Sequence, residues 1–437
     1  MKIRGLIVAA LVFLALAGIL YWSEHRKPDE TAKAATAAPP AILKLDEASV
    51  IKLEIKKAET PPLLLSRVAS GAWQITEPKA LGADQSGVSS VVSTLSSLDS
   101  QRLVDEKAGD LKPYGLDQPA VEVGITTKDN KSQKVLIGDD TPTGGAAFAK
   151  LAADPRVFTI ASFSKTSVDK TLNDLRDKRL LTANSDKLSR VDLIRKGQNI
   201  EFGRNKDDWQ ILKPKPLRAD STQVSELVGK LIAARMDLSG TDDKEIGSAF
   251  SKGQPVAVAK LTDQSGTQQL EVRKNKDTYF AKSSVVDGAY KVGSDVGEAL
   301  DKGLDDFRNK KLFDFGFNDP NKIELHDGSK SYLLTRTGQD WWFNGKKMDA
   351  GTVQDLISKL RDLTATKFPE AGFSRPAIEV SILSGDGKRN EKVSMAKFGS
   401  AYIAKRDNEP GLYQMESTAV EEFQKAAEGI KPATSSK

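Results

Sequence analysis

Residues 73–84 read WQITEPKALGAD, and residues 209–220 read WQILKPKPLRAD. Eight of these twelve positions are identical, although the two stretches lie 136 residues apart. A phrase that occurs twice in one chain indicates either chemistry that is needed twice or a duplicated domain. The flanking residues favour duplication, because the similarity continues well beyond the phrase on both sides.

Each copy of the phrase is followed by the pattern of an amphipathic helix. Apolar residues recur at the i, i+3, i+4, i+7 spacing, which predicts one buried stripe. The N-cap candidates are Asp84 with Ser86 in the first copy and Asp220 with Ser221 and Thr222 in the second. The stripes consist of Val88, Val91, Val92, Leu95 and Leu98 in the first copy and of Val224, Leu227, Val228, Leu231 and Ile232 in the second.

A third and more divergent copy begins at Trp342. Its helical stripe starts eleven residues later at Val353, after a connection that is four residues shorter and lacks the proline. Three runs that open with proline and then alternate predict one further strand per copy; they are QPAVEVGI (118–125), QPVAVAKL (254–261) and RPAIEVSI (375–382). Two similar charged stretches predict a closing helix, DLRDKRLL (174–181) and DDFRNKKLF (305–313).

These patterns predict the α+β class. Each of three tandem units would contain a β meander, an amphipathic helix, a second set of antiparallel strands and a closing helix. A period near 135 residues is the size of a domain rather than of a solenoid repeat. The predicted units are residues 46–184, 185–318 and 319–431, followed by a disordered tail at 432–437.

The tryptophans are interpreted as core residues of the repeated unit. Trp73, Trp209 and Trp342 would occupy equivalent buried positions on the third strand of each meander. In DWWFNGKK (340–347), neighbouring side chains of a strand point to opposite faces, so Trp341 would then point outwards. Such a residue contacts another unit, binds a partner protein or a glycan, or is simply exposed.

The N-terminus has the pattern of a membrane anchor. Residues 5–22, GLIVAALVFLALAGILYW, form 18 residues without a charge after Lys2 and Arg4. Their length as a helix, about 27 Å, is sufficient to cross a bilayer core. This predicts an anchor at residues 1–22 and an Ala/Pro-rich tether at 23–45. The protein would then be a single-pass bacterial inner-membrane protein with its body in the periplasm; a cleaved signal peptide is the alternative.

Composition argues against several classes of function. The net charge of +5 is interspersed, which disfavours a nucleic-acid partner, and the chain has no cysteine. Neither nucleotide-binding glycine pattern is present. His25 and His326 have no triad around them, and the acidic pairs lack EF-hand spacing; these pairs are Asp139–Asp140, Asp242–Asp243 and Asp305–Asp306. We therefore predict no catalytic, cofactor-binding or metal-binding residue.

The stretch LIGDDTPTGGAAFAKLAADPRVFTI (136–160), followed by LNDLRDKRLL (172–181), resembles the DUF4340 domain. The likeness covers residues 73–181 well and weakens in the later copies. Its turn motif falls on Gly138, Asp139, Asp140, Thr141 and Pro142, which we interpret as structural. The resemblance implies a bacterial envelope protein, associated with auxiliary parts of ABC-type export systems of the gliding-motility class.

The function expected from the sequence is that of a non-catalytic, membrane-anchored periplasmic scaffold. Its protein partner would be a transporter or another envelope complex. Two alternatives stay open, a glycan-binding module of the cell envelope and a carboxylate-dependent hydrolase. Outward aromatic residues would mark the first alternative, and a cleft with two close acidic side chains would mark the second.

Overall fold

The computed structural model describes residues 40–206, 208–240, 242–385 and 387–434. Of these residues, 44% lie in strands and 23% in helices, and the strands form four antiparallel sheets. The predicted α+β class is therefore wrong, and the fold is mainly β. The reason is that the second set of strands in each copy extends the same sheet as the meander, while most helices are short. The chain divides into two compact units, of which the first ends at Asp177 and the second begins at Lys178.

The first unit contains a nine-stranded sheet, here called the first sheet, and a two-stranded sheet of β1 and β6. The order in the first sheet is β5-β4-β3-β2-β8-β9-β10-β11-β7. Its strands and helices are β1 (Ala41–Lys44), β2 (Val50–Lys57), β3 (Thr60–Arg67), β4 (Trp73–Glu77), β5 (Leu81–Gly82), α1 (Gln85–Ser96), β6 (Ser97–Asp99), β7 (Arg102–Asp105), β8 (Val121–Thr127), β9 (Ser132–Asp140), β10 (Ala146–Leu151), β11 (Val157–Ala161), α2 (Ser162–Val168) and α3 (Leu172–Leu175).

The second unit contains two eight-stranded sheets. The second sheet has the order β15-β14-β13-β12-β16-β17-β18-β19 and the third has β23-β22-β21-β20-β24-β25-β26-β27. The elements of the second sheet are β12 (Arg190–Arg195), β13 (Gln198–Asn205), β14 (Asp208–Lys213), β15 (Leu217–Arg218), α4 (Ser221–Ala233), α5 (Asp243–Lys252), β16 (Gln254–Asp263), β17 (Gly266–Asn275), β18 (Thr278–Ser283), β19 (Ala289–Val292) and α6 (Ser294–Leu300). Those of the third are β20 (Lys322–Asp327), β21 (Lys330–Thr337), β22 (Asp340–Phe343), β23 (Lys346–Lys347), α7 (Ala350–Asp362), β24 (Ile378–Ser384), β25 (Arg389–Phe398), β26 (Ala401–Arg406), β27 (Leu412–Glu416) and α8 (Ser417–Glu428).

The three large sheets share one strand order. In each, four strands form a meander from the centre outwards, a helix follows, and four more strands extend the sheet on the other side of the first strand; the first sheet adds β7 at that edge. The runs that open with proline contain β8, β16 and β24, each of which pairs with the first strand of its own meander. The unit boundaries drawn from the sequence at 184/185 and 318/319 stay predictions.

One long helix covers the inner face of each sheet, and its apolar stripe is buried as the spacing predicts. The stripe of α1 belongs to the same core cluster as Trp73 and Leu53 of the first sheet. The helices α4 and α7 pack in the same way within the cores of the second and third sheets. The opposite face of each sheet, here called the outer face, carries the polar side chains. The buried stripes are Val88, Val91, Val92 and Leu95; Val224, Leu227, Val228 and Leu231; and Val353, Leu356, Ile357 and Leu360.

An aspartate begins each of these helices. The side chains of Asp84, Asp220 and Asp349 accept hydrogen bonds from backbone N–H groups of the first turn. These N–H groups have no partner within the helix, so the carboxylate supplies one and also opposes the positive end of the helix dipole. The N-cap prediction for Asp84 and Asp220 is confirmed, and Asp349 extends it to the third helix.

The cap at Asp84 gives a pH-dependent contribution to stability. The hydrogen bond from Ser86 lowers the pKa of Asp84 below its ordinary value of 3.8, against a smaller opposing effect of burial. The stabilisation is therefore present above the unfolded pKa and is lost as the pH falls through the folded one.

We expect Asp84→Ala to cost about 1 kcal/mol at neutral pH. Asp84→Asn keeps an N-cap oxygen without the charge, so its stability difference from wild type should close in acid. Urea denaturation of both variants and of wild type across pH measures these effects. If the stability difference between Asp84→Asn and wild type persists in acid, the charge of Asp84 does not supply it.

The predicted closing helices at 174–181 and 305–313 are wrong. The helix α3 ends at Leu175, and the following residues are extended. They form isolated antiparallel bridges, Arg176 with Ala83 and Arg308 with Ala219. The next N–H groups, of Asp177 and Asn309, donate to Gly82 O and Arg218 O instead of to the carbonyls four residues earlier, so the helix does not continue. In the first sheet, α2 and α3 precede the bridge at Arg176. In the second, α6 precedes the bridge at Arg308, and in the third, α8 precedes the bridge at Pro432.

Two terminal predictions also change. Residues 41–44, assigned to the tether, form β1, in which Ile42 and Leu43 are buried. Pro432, assigned to the tail, forms a bridge with Met348. The predicted anchor at residues 5–22, the rest of the tether at 23–39 and the tail residues 435–437 lie outside the described residues.

The predicted location is corrected as well. In the described ranges between residues 40 and 434, no helix has the length and apolar character required to cross a membrane. The expected single-pass inner-membrane protein with its body in the periplasm therefore has no spanning helix among the described residues.

Candidate functional site

The tryptophan of each meander packs in the core of its own sheet. Trp73 and Trp209 are buried, and each lies opposite an arginine of the neighbouring strand, Arg67 and Arg204. The guanidinium carbons of these arginines lie 4.7 and 5.8 Å from the centres of the tryptophan rings. This arrangement combines an apolar ring with a charge over its face.

In the third sheet this position belongs to Trp341 and not to Trp342. Trp341 is 5% exposed and lies opposite Arg336, whereas Trp342 is 37% exposed and lies opposite Thr335. The predicted roles of the two tryptophans are therefore reversed. Because side chains alternate along a strand, an alignment error of one residue exchanges the buried and exposed faces. A signal was present in the sequence: Trp341 and Phe343 repeat the spacing of Trp209 and Ile211.

Trp342 is the centre of an exposed patch on the outer face of the third sheet. Its cross-strand neighbours are Thr335 on β21 and Lys347 on β23. Leu333, two residues before Thr335 on the same face, is 48% exposed. Asp340 shares this face two residues before Trp342, and its carboxylate lies 3.0 Å from Lys347 Nζ. We call these five residues the Trp342 face.

The second sheet carries a different surface at the same place. The strand registers make Gln210 equivalent to Trp342 and Glu201 equivalent to Leu333. Glu201 is buried by its ion pairs, with Lys213 Nζ at 2.6 Å and Arg190 Nη1 at 3.5 Å. The two sheets share a fold, so this difference comes from the side chains alone. At these two positions the third sheet is apolar, whereas the second carries Gln210 and the ion-paired Glu201. The second sheet has an exposed apolar residue beside them, Leu212, which is 42% exposed.

A buried network of charged side chains joins the second and third sheets inside the second unit. At its centre, the Arg218 guanidinium on β15 contacts Asp314 at 2.6 Å and Glu409 at 3.0 Å. It also donates hydrogen bonds to the carbonyl oxygen of Lys311 and, over 3.1 Å, to the hydroxyl of Tyr413. The Tyr413 hydroxyl in turn donates to Glu409 over 2.5 Å.

A second arginine continues this network within the third sheet. The Arg406 guanidinium lies 3.0 Å from the carboxylate of Glu391 and donates to the carbonyl oxygen of Leu312. Glu391 also accepts a hydrogen bond from the backbone N–H of Asp314 at 2.8 Å. Glu391 and Glu409 are both buried, so these carboxylates depend on the arginines for their charge balance.

The charges of the network shift the pKa of two of its members. Burial alone would lower the pKa of Arg218, but the nearby Tyr413, Asp314 and Glu409 raise it above its ordinary value. Burial raises the pKa of Tyr413 to about 12; Arg218 opposes this change, and Glu409 adds to it. Arg218 therefore stays charged and Tyr413 stays neutral, which suits a structural joint better than acid–base chemistry.

Arg308 is the most deeply buried arginine of this region. It is 3% exposed, and its guanidinium carbon lies 3.6 Å above the centre of the Phe368 ring. Its Nη1 atom lies 3.5 Å from the carboxylate of Asp305. The stacking holds the segment after α6 against the third sheet. One member of the acidic pair Asp305–Asp306 thus serves this joint, and the other accepts a hydrogen bond from Gly303 N.

The remaining residues singled out from the sequence have local partners. His326 Nδ1 lies 2.9 Å from the hydroxyl of Ser331 on an exposed hairpin. Asp242 caps α5 by accepting a hydrogen bond from Lys244 N. Asp140 forms an ion pair with Lys165 at 2.9 Å. Over the ranges that the structure describes, no group of three His, Cys, Asp or Glu side chains is placed to hold a metal ion.

The family turn motif lies at the hairpin between β9 and β10. Gly138 is required by a close approach, because a Cβ atom there would lie 2.1 Å from the carbonyl oxygen of Tyr114. Asp139 and Asp140 end β9, Pro142 follows in the turn, and Thr141 N donates to Ala146 O at 2.9 Å. These contacts all lie within the first unit, and they fix the hairpin and the segment at Tyr114 that packs on it.

A groove of about 560 Å³ lies between α4 and α6. Leu227, Gly229, Ala233 and Ala299 contribute its small and apolar lining. An ion pair between Lys230 and Asp295 crosses it at 2.9 Å. The ion pair neutralises the charges at this groove, and we take the Trp342 face, with its exposed aromatic ring, as the candidate binding surface.

Comparison with known proteins gives one family. The family described as Domain of unknown function (DUF4340) matches residues 73–247 and, a second time, residues 209–378. The matches start at Trp73 and Trp209, the residues that open the two copies of the repeated phrase. Together they span more than half of the chain. No curated protein matches it.

Proposed function

The chain belongs to the DUF4340 family, and we propose that it is a non-catalytic binding protein that docks a protein partner on the Trp342 face. The observation that carries this proposal is the exposure of Trp342 together with Leu333 on the outer face of the third sheet. Tryptophan is enriched among the residues that dominate binding energy at protein interfaces. Trp342 is not needed for the core of the third sheet, because Trp341 already fills the core position.

The surroundings of Trp342 have the composition of an interface centre and its rim. Leu333 adds apolar area, while Thr335 and the Asp340–Lys347 ion pair supply polar groups at the edge. Interfaces commonly place an aromatic anchor within such a polar rim. The second sheet closes the equivalent area with Glu201 and its ion pairs, which supports a specific use of the third sheet.

The buried ion network lies on the β25–β27 side of the third sheet, away from β22, so it bears on the hydrolase alternative and not on the Trp342 face. The same network accounts for the buried carboxylates Glu391 and Glu409, each of which is held by an arginine. These acids therefore do not form the open pair that a carboxylate-dependent hydrolase would require. A component of an ABC-type transporter, which the family resemblance implied, is the first partner to test.

The proposal predicts that Trp342→Ala abolishes capture of the partner without destabilising the protein. The full chain is immobilised, proteins from the native host are captured, and each one is quantified by mass spectrometry for wild type and variant. A true partner should fall at least about tenfold for Trp342→Ala, because loss of an interface anchor costs 2 kcal/mol or more.

The matched control is Gln210→Ala, which changes the equivalent position of the second sheet. A partner retained by this variant and lost by Trp342→Ala supports the proposal. The proposal is contradicted if no captured protein is lost by Trp342→Ala and retained by Gln210→Ala.

A glycan is the second candidate for this surface. A flat tryptophan ring next to the Thr335 hydroxyl and the Asp340–Lys347 pair offers stacking together with polar groups. Protease treatment of the captured material separates the two candidates. A protein partner is lost after protease, whereas a polysaccharide is still retained by wild type and released by Trp342→Ala.

A further inference from the structure

One basic position recurs on the outer face of all three sheets. The strand registers place Lys52, Arg190 and Lys322 at equivalent points of the first meander strand. An acidic residue follows two positions later in each case, Glu54, Asp192 and Glu324. On a strand, residues two apart share a face, so each sheet carries an acid–base pair there.

The second and third sheets neutralise this basic residue, but the first does not. Arg190 lies 3.3 Å from Asp192 and 3.5 Å from Glu201. Lys322 contacts Glu324 directly.

In the first sheet Glu54 instead pairs with Lys56 at 2.8 Å. The second sheet has a further carboxylate at this place, that of Glu201, but the first sheet has Leu64 at the equivalent register position. Within the described ranges, Lys52 therefore makes no ion pair.

A depression of about 310 Å³ lies beside Lys52. It exists because Gly124, in the middle of β8, has no side chain where the second sheet has Lys260. A glycine inside a strand often marks a place that a ligand approaches closely. Hydroxyl groups of Ser66, Thr126 and Ser132 line the depression, and Leu64 gives it an apolar wall. Glu54 also lines it above Gly124, but its carboxylate is neutralised by Lys56 at 2.8 Å.

We propose that this depression binds an acidic monosaccharide, a sugar ring that carries one carboxylate. The carboxylate of the sugar would pair with Lys52, as Asp192 pairs with Arg190 in the second sheet and Glu324 with Lys322 in the third. Thr126 and Ser132, whose hydroxyl oxygens lie 3.0 Å apart, would bond the ring hydroxyls together with Ser66. The volume is at the lower end of the range for ligand sites, which fits a single sugar ring.

This site is independent of the proposed protein-binding function. It lies in the first unit, whereas the Trp342 face lies in the second. Either one can fail without the other. A carboxylated sugar is favoured over a simple carboxylic acid because three hydroxyl groups line the depression beside Lys52. Lys134 also lines it, but its ammonium group already pairs with Glu122 at 2.7 Å.

The test is a titration of the full chain with glucuronate, followed by NMR or calorimetry. We expect saturable binding of glucuronate and much weaker binding of glucose, which has the same ring without the carboxylate. Lys52→Gln should weaken glucuronate binding at least about tenfold, because a hydrogen bond to a charged group is lost. Lys79→Gln, at an exposed lysine outside the depression, should bind like wild type.

A second variant tests the cavity without changing the charge. Gly124→Val fills the floor with a residue that suits a strand and should also weaken binding. Thermal melting shows that each variant is folded. The proposal is overturned if glucuronate does not bind saturably, if glucose binds equally well, or if the folded Lys52→Gln variant binds like wild type.

Discussion

Replacing Glu409 with alanine should lower the free energy of unfolding of the second unit by about 3–5 kcal/mol. Glu409 is buried, pairs with Arg218 at 3.0 Å and accepts a hydrogen bond from Tyr413. The substitution leaves Arg218 buried with one carboxylate fewer and removes the acceptor of a buried hydroxyl. Urea denaturation of the full chain, followed by circular dichroism, measures the effect.

Glu370 provides the matched control for this prediction. It also joins the second and third sheets, through Lys215 at 3.0 Å, but its side chain is 80% exposed. Exposed ion pairs contribute about 0–1 kcal/mol, so Glu370→Ala should change stability little. If Glu370→Ala and Glu409→Ala lower the free energy of unfolding equally, the burial of Glu409 does not account for the stability that the network contributes.

The second large effect concerns the adjacent tryptophans. Trp341→Ala should destabilise the third core by about 3–5 kcal/mol, because it leaves a cavity beneath the helix α7. Trp342→Ala should cost less than about 1 kcal/mol, since its side chain already contacts solvent. The two variants differ by one position in the chain, so urea denaturation under identical conditions compares them directly.

The sequence alone predicted the opposite ranking for these two residues. A larger loss for Trp342→Ala would restore the earlier interpretation and would remove the basis for the Trp342 face. Comparable losses of stability for the two variants would mean that Trp342 is buried by another part of the protein. Either result would contradict the structure at this strand.

Features that depend on local spacing could be predicted from the sequence. The helical stripes of α1 and α4 and the N-caps Asp84 and Asp220 follow from periodicity and from the chemistry of helix ends. The strand pairing could not be predicted from this pattern, because a strand gives no signal of the sheet to which it belongs. This is why the second set of strands in each copy looked like a separate part of an α+β unit.

The closing segments show a conflict between local and distant contacts. The charged stretch 174–181 contains good helix formers, yet Arg176 forms a bridge with Ala83, a residue far away in the chain. Tertiary pairing overrides weak helix propensity in such short segments. A reading based on local spacing alone therefore assigns the wrong element there.

The ion network could not be found from the sequence for a similar reason. Arg218 and Glu409 are separated by 191 residues, and no spacing rule connects them. The chain carries 65 basic and 60 acidic residues, so nearly every charge has many possible partners in the sequence. Only the fold selects among them. The outer-face differences at Gly124 and Leu333 likewise need the strand registers before they can be compared.

The most direct test of the partner-binding proposal is photo-crosslinking in cells of the native host. A photoreactive phenylalanine analogue is placed at position 342 of the full chain, and in a separate variant at position 210 of the second sheet. We predict a crosslink to one defined protein from position 342 and none to that protein from position 210. Crosslinking of the same protein from both positions, or from position 210 alone, would contradict the assignment of the partner surface to the Trp342 face.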